Sequence, residues 1–358
     1  MQTWFARKTC RLCNSQVVPL VELKPTPLAN AYVSAPCEQE VYPLGLTQCV
    51  ECDHVQLGVV VDPEVLYADY RYKTGVSSSF RKHLKSLAEE ISPKGFVLEI
   101  GSNDGTLLDY FAELGNRVLG VDPASTCTKH PNIAKPFNYE FARQFKPFNP
   151  PADLIVALNV LAHIDNLGGV FDGVEKFLSD AGLFVFEVQY LKDLVDGFHW
   201  DMIYHEHLDY HHIRPLVKSL AKHGLYVHDV KHVDTQGGSI RVYARKTPGN
   251  YVCPDEEIDL SGFVQKLHEL KNPLEGVTGS IAGYGAPAKA TTFMYQTGAR
   301  VDYIVDDTPD KQGMFTPGLN IPIVSSDELK LRKPDKVFPL AWNFAAELRA
   351  KHPELNWL

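Results

Sequence analysis

The chain has 358 residues, a net charge of −9, and 44% hydrophobic against 22% charged residues. This length predicts two or three domains with ordinary cores. The acidic balance sets nucleic acid aside as a partner, since phosphate binding calls for a basic face. No apolar run approaches a membrane span, and the first residues carry no apolar segment of a secretory signal. A cytoplasmic protein with no membrane partner is therefore expected.

Four of the seven cysteines form two C-x-x-C pairs, Cys10 with Cys13 and Cys49 with Cys52. Two residues between thiolates let one tight turn aim both sulfurs at one ion. Two such turns complete the tetrahedron that structural zinc prefers. In a reducing compartment such pairs point to metal rather than disulfides, with a redox pair or reduced surface thiols as the alternatives. Four thiolates leave no open position for water, so the zinc is read as structural. His54, close to the second pair, could be a ligand but is read in preference as a solvated loop histidine. Cys37 has no partner at ligand spacing.

From residue 96 the pattern changes. Residues 96–100 are an apolar run that ends in Gly101-Ser102-Asn103-Asp104-Gly105, with a helical stretch after it. Further strands are expected over 117–122, 153–160 and 182–188, separated by helices. Such alternation predicts a Rossmann-like, parallel, doubly wound sheet with ligands at the carboxyl ends of its strands. The turn lacks the G-x-G-x-x-G order of a dinucleotide site, and Asp104 would repel a pyrophosphate. It suits a cationic ligand without phosphate, which describes S-adenosylmethionine (SAM). Asp122, ending the second strand, is placed to accept hydrogen bonds from two ribose hydroxyls, or else caps a turn. Asn159 follows the next strand and is expected to line the same pocket. His163 reads equally as a core histidine and as a site residue.

Tyr204-His205-Glu206-His207 lies in a stretch dense in titratable groups. Zinc binding and a polar surface loop are the plain alternatives, but the H-E-x-x-H pattern is absent. Methylation of carbon needs a base, and histidine has a suitable pKa. A carboxylate can orient that base and a tyrosine hydroxyl can meet a ketone oxygen. Toward the C-terminus, Gly283-Tyr284-Gly285 between a short strand and a helix opens a second, smaller α/β unit. Its turn could cradle phosphate with help from Lys289, or could merely pack a helix on a sheet. A Walker A loop is not present.

These motifs, with Gly237-Gly238-Ser239-Ile240-Arg241-Val242 and the strings 283–292 and 305–313, resemble the SAM-dependent sugar C-methyltransferases of deoxysugar biosynthesis, similar to the 3-C-methyltransferases of dTDP-4-keto-deoxysugars. The resemblance runs over nearly the whole chain. It implies an α/β protein with a zinc-binding domain (1–65), a SAM-dependent methyltransferase domain (66–250) and a C-terminal α/β domain (251–358) that helps hold a nucleotide-linked sugar. It also implies His207 as the base, Glu206 orienting it or binding the sugar, and Tyr204 supporting the sugar oxygens. A further tyrosine upstream is matched by Tyr72 in preference to Tyr70. The cofactor set is then Gly101, Asn103, Asp104, Asp122 and Asn159. O- or N-methylation of another small molecule, and a non-catalytic zinc- and SAM-binding protein, are the competing readings. A monomer is expected over an oligomer.

Overall fold

The computed structural model describes residues 3–67, 74–92 and 94–358. Its centre is a seven-stranded sheet in the order Tyr226–Val233, Ser239–Arg245, Leu178–Gln189, Ala152–Leu158, Phe96–Ile100, Arg117–Val121, Asn132–Ile133. The central strands are apolar throughout because helices cover both faces. Leu98, Leu154, Ile155 and Val156 are fully excluded from water, and each such side chain contributes roughly 1.5–3 kcal/mol.

The sheet is mixed, which corrects the all-parallel expectation. Ser239–Arg245 runs antiparallel to both of its neighbours, while the other pairs are parallel. The reason is the connection length. Residues 234–238 make a tight turn with left-handed Gln236, Gly237 and Gly238, and a parallel crossover needs about a dozen residues.

The N-terminal part is an antiparallel sheet in the order Asp209–Tyr210, Val55–Leu57, Tyr42–Cys49, Val17–Thr26. Its first strand arrives from far along the chain, directly after Tyr204–His207. The stretch dense in titratable groups is thereby hydrogen-bonded to the cysteine-bearing sheet.

The C-terminal part has a parallel sheet in the order Ile323–Val324, Tyr303–Val305, Ile281–Tyr284, Lys336–Pro339. The strand order reverses beside Ile281–Tyr284, so a crevice opens at the carboxyl ends there. The helix Ala288–Thr297 buries Lys289, Thr291, Thr292 and Gln296. Polar residues suit this buried face because it meets loop backbone that needs partners. Thr291 Oγ1 donates to the Ala29 carbonyl at 3.2 Å and Thr292 Oγ1 to the Ile203 carbonyl at 3.0 Å. One helix thus joins the N-terminal loop to the segment before Tyr204. No helix among the described residues is long and apolar enough to cross a membrane.

Candidate active site

The four predicted cysteines come together. Their sulfurs lie within 4.8 Å of one another, with Cys10 and Cys52 at 3.6 Å and Cys13 and Cys49 at 3.4 Å. Zinc–sulfur bonds of about 2.3 Å set tetrahedral sulfurs about 3.8 Å apart, so the cluster fits the ion. The two turns share one backbone design. The Cys10 amide donates to the Ser15 carbonyl at 2.8 Å and the Cys49 amide to the His54 carbonyl at 2.9 Å. Asn14 and Asp53 then take left-handed conformations, φ 63° and 61°, which these two residue types tolerate best after glycine. His54 is not a ligand, nor is it solvated as expected. It is buried, and its Nε2 pairs with Asp209 Oδ1 at 2.7 Å.

The glycine turn sits between strand Phe96–Ile100 and helix Thr106–Glu113. The Gly101 amide donates to the Val121 carbonyl at 2.9 Å. A Cβ on Gly101 would stand 2.7 Å from Val160 Cγ2, so only glycine fits. The Asp122 carboxylate accepts from the amides of Asn103 at 2.8 Å and Ala124 at 2.7 Å. It therefore shapes the turn, and each oxygen keeps a second lone pair. Asp104 accepts from the Gly75 amide at 2.7 Å and the Thr106 hydroxyl at 2.7 Å. It thus ties the chain following Tyr72 to this turn; Tyr72 itself lies outside the described residues. Asn159 is left-handed, with φ 52°, and its buried Nδ2 has no partner among the described residues. Gly101, Asn103, Asp104, Asp122 and Asn159 all lie just beyond the carboxyl ends of three adjoining strands.

Sequence reasoning missed Glu99. It is buried, and its Oε2 has no partner among the described residues. Burial first, then the charges of Asp104 and Asp122, hold its carboxyl well above the usual range. The signal available was an acid two residues before the first glycine of the turn, inside an otherwise apolar strand. The carboxylates of Asp104 and Asp122 fit a ligand with positive charge, beside a Glu99 carboxyl held toward its neutral form. The orphaned Asn159 amide and Glu99 oxygen leave polar capacity for it.

Tyr204–His207 is a tight turn, closed by the His207 amide on the Tyr204 carbonyl at 2.9 Å. A turn of that span brings its first and last side chains together, and the two rings lie 4.1 Å apart. His207 Nδ1 faces the Met202 carbonyl at 3.0 Å. A carbonyl only accepts, so Nδ1 carries the proton and Nε2 keeps its lone pair. The Tyr204 hydroxyl donates to that Nε2 at 2.9 Å. Burial, then the neighbouring His163, push the His207 pKa down to about 3. The ring is neutral at any ordinary pH.

Glu206 is buried and accepts from Asn30 Nδ2 at 2.6 Å. Burial pushes its carboxyl up to about 7, with Asn30 opposing. His205 turns the other way, with Nε2 on the Pro43 carbonyl at 3.1 Å. His163 packs edge-on to His207 with centroids 5.2 Å apart, which its sequence context left open. Asn30, from the N-terminal part, carried no sequence signal.

The C-terminal crevice repeats the turn that begins at Gly101. The Gly285 amide donates to the Val305 carbonyl at 2.7 Å, as Gly101 does to Val121. Asp306 accepts from the Ala286 and Thr308 amides at 2.7 and 2.8 Å, as Asp122 does from Asn103 and Ala124. Lys289 closes the crevice beneath, with Nζ 3.5 Å from the Trp342 ring centroid and 2.7 Å from Asn343 Oδ1. Burial lowers its pKa to about 8, against the opposing charge of Asp201.

A doubly wound sheet with a carboxylate-rich glycine turn, a neutral buried histidine beside a tyrosine hydroxyl, and a four-thiolate cluster define a SAM-dependent methyltransferase with a zinc-binding domain. Family models agree along the chain. They match a zinc binding domain over residues 10–67, a methyltransferase domain over 72–230 and a C-methyltransferase C-terminal domain over 259–357. C-methyltransferase NovU of Streptomyces niveus is 30% identical, covering 95% of this chain and 90% of its own. The chain belongs to this C-methyltransferase family. Among solved structures, a SAM-dependent methyltransferase from Clostridium acetobutylicum ATCC 824 covers 51% of this chain and 94% of its own, at 15% identity and TM-score 0.36. Magnesium protoporphyrin IX methyltransferase from Synechocystis PCC 6803 covers 48% and 89%, at 14% identity and TM-score 0.36.

Proposed function

We propose that this C-methyltransferase acts on a nucleotide-linked keto-deoxysugar, taking the proton next to the ketone and methylating that carbon. The observation that carries the reading is the Tyr204–His207 pair, a neutral imidazole whose unprotonated Nε2 accepts from a tyrosine hydroxyl. When the sugar binds, the Tyr204 hydroxyl turns to the ketone oxygen and frees Nε2. The carbon–hydrogen bond breaks, its proton goes to Nε2, and the electron pair forms the enolate. Negative charge arising beside the imidazolium then stabilises it in a site where burial alone disfavours it. Bound SAM supplies an electrophilic methyl group to the enolate carbon. Glu206, held by Asn30, is carboxylic acid for much of the neutral range and can donate to a sugar oxygen.

The cofactor set is Gly101, Asn103, Asp104, Asp122 and Asn159, with Glu99 added. The repeat of the cofactor turn around Gly285 and Asp306 supports a second nucleoside crevice for the nucleotide of the sugar donor. The division into 1–65, 66–250 and 251–358 assigns one task to each part. Incubation with SAM and a panel of nucleotide-linked keto sugars, read by mass spectrometry and proton–carbon correlation, tests the reading. A new methyl on carbon next to the ketone is expected. A methyl ether or amine, or no methyl gain with any sugar, overturns it.

A further inference from the structure

Arg11 stands between two zinc ligands, Cys10 and Cys13, yet its side chain reaches away from them and is wholly buried. Its Nε donates to Asp165 Oδ1 at 2.9 Å and lies 3.9 Å from Asp209 Oδ2. Its Nη1 donates to the carbonyls of Leu57 and Leu208, each at 3.1 Å. Its own amide is held by Gln56 Oε1 at 2.9 Å. A buried guanidinium needs several acceptors, and two of these have a pattern. Leu208 follows His207, and its amide donates to the Ala162 carbonyl at 2.7 Å. Ala162 precedes His163, and Asp165 stands two residues beyond it. The guanidinium therefore grips both chain segments that carry an imidazole of the site.

We propose that Arg11 is a positioning residue for methyl transfer. Anchored between two zinc ligands, its guanidinium clamps the segments bearing His163 and His207 and so sets how the two rings meet. The proposal rests on the reading of His207 as the base. It also assigns the zinc cluster a role toward the chemistry: the metal fixes the backbone from which the clamp extends.

Two variants test it. Arg11→Met keeps the aliphatic stem and the cysteines but loses the guanidinium. Asp165→Asn weakens the same clamp from a residue outside the metal turn, and serves if Arg11→Met does not fold. Both should keep one zinc per chain and near-normal SAM affinity. The turnover number should fall about 10- to 100-fold with little change in sugar KM, the scale of a small misplacement of reacting groups. Placed in a His207→Ala background, neither should lower the residual rate further, because residues acting as one unit are non-additive. Nitrogen-15 spectra of the histidines read the clamp without any sugar. In the wild type, His207 should be protonated on Nδ1 and stay neutral on mild acidification, facing Tyr204, His163 and the Met202 carbonyl. In the variants it should become a mixture of tautomers and titrate nearer its ordinary value of about 6.5. An unchanged His207 spectrum overturns the proposal. So does loss of zinc and SAM binding in step with activity, or a further loss in the His207→Ala background. Full turnover by His207→Ala alone sinks the base reading instead, and the spectra distinguish that outcome because they need no turnover.

Discussion

Replacing His207 removes the group on which the proposed chemistry turns. In His207→Ala the ring disappears, and with it the hydrogen bonds it makes with the Met202 carbonyl and the Tyr204 hydroxyl. Losing a buried hydrogen-bond partner costs about 1–3 kcal/mol of stability, so the variant should melt earlier while still binding SAM, whose proposed turn lies on separate strands. Losing a general base slows the reaction by roughly two to four powers of ten, about 2.7–5.5 kcal/mol on the barrier. His207→Asn should be nearly as slow, because an amide cannot take up the proton. His205→Ala should keep most of its activity, since that ring points to the Pro43 carbonyl. Tyr204→Phe separates the two roles. It removes a hydrogen bond that favours the neutral ring, so the acid limb of kcat/KM should move slightly to higher pH, while burial and His163 still hold the His207 pKa well below its ordinary value. The assays are methyl transfer by mass spectrometry and exchange of the sugar α-proton with solvent deuterium. If His207→Ala turns over normally while His205→Ala is dead, the base is the alternate histidine. If neither matters, the segment is not catalytic.

Elemental analysis of protein purified without added metal should find one zinc per chain; freely titratable thiols at Cys10, Cys13, Cys49 and Cys52 in folded protein, with no stoichiometric zinc, would refute this. SAM at about a hundred times its Kd should add about 2.7 kcal/mol to stability, visible as a higher Tm, whereas NAD should add nothing. Asp122→Asn should weaken SAM binding by about 1.5–3 kcal/mol, because an amide can accept for only one of the two turn amides; unchanged affinity would remove Asp122 from the site. Stability should also fall steeply in acid. Burial lowers the pKa of His163 and His205 to about 4 and of His207 and His211 to about 3. The unfolded chain then binds protons below its ordinary pKa of about 6.5 that the folded chain refuses, at up to about 1.4 kcal/mol per pH unit for each ring. Glu206 opposes this: its carboxyl is raised to about 7, so its share is lost as pH rises toward that value. His211→Phe should flatten the acid slope of Tm, since neither nitrogen of His211 has a hydrogen-bond partner among the described residues; an unchanged slope would contradict its burial as a neutral ring.

Local patterns were legible wherever one short stretch does the work. Cys10, Cys13, Cys49 and Cys52 announce a metal because a two-residue spacer already forces both sulfurs of a pair to one side. Gly101 to Gly105 announces a ligand turn because strand, glycine and helix follow one another directly. Tyr204 and His207 stood out through the density of titratable groups and the family resemblance, and the turn that pairs them came with the structure. What the sequence could not show depends on contacts between distant segments. Glu99 reads as one polar residue in a strand until the sheet sets it beside Asp104 and Asp122. His163 and His207 become neighbours only when Leu208 hydrogen-bonds Ala162. Asn30 meets Glu206, and Arg11 meets Asp165 and Asp209, across more than 150 residues of chain. The antiparallel edge of the central sheet followed from a connection too short for a crossover. Spacing along a chain sets which neighbours a turn can join. Which buried charge finds which partner is settled only by packing, because the cost of leaving a charge unpaired appears only once water has been excluded.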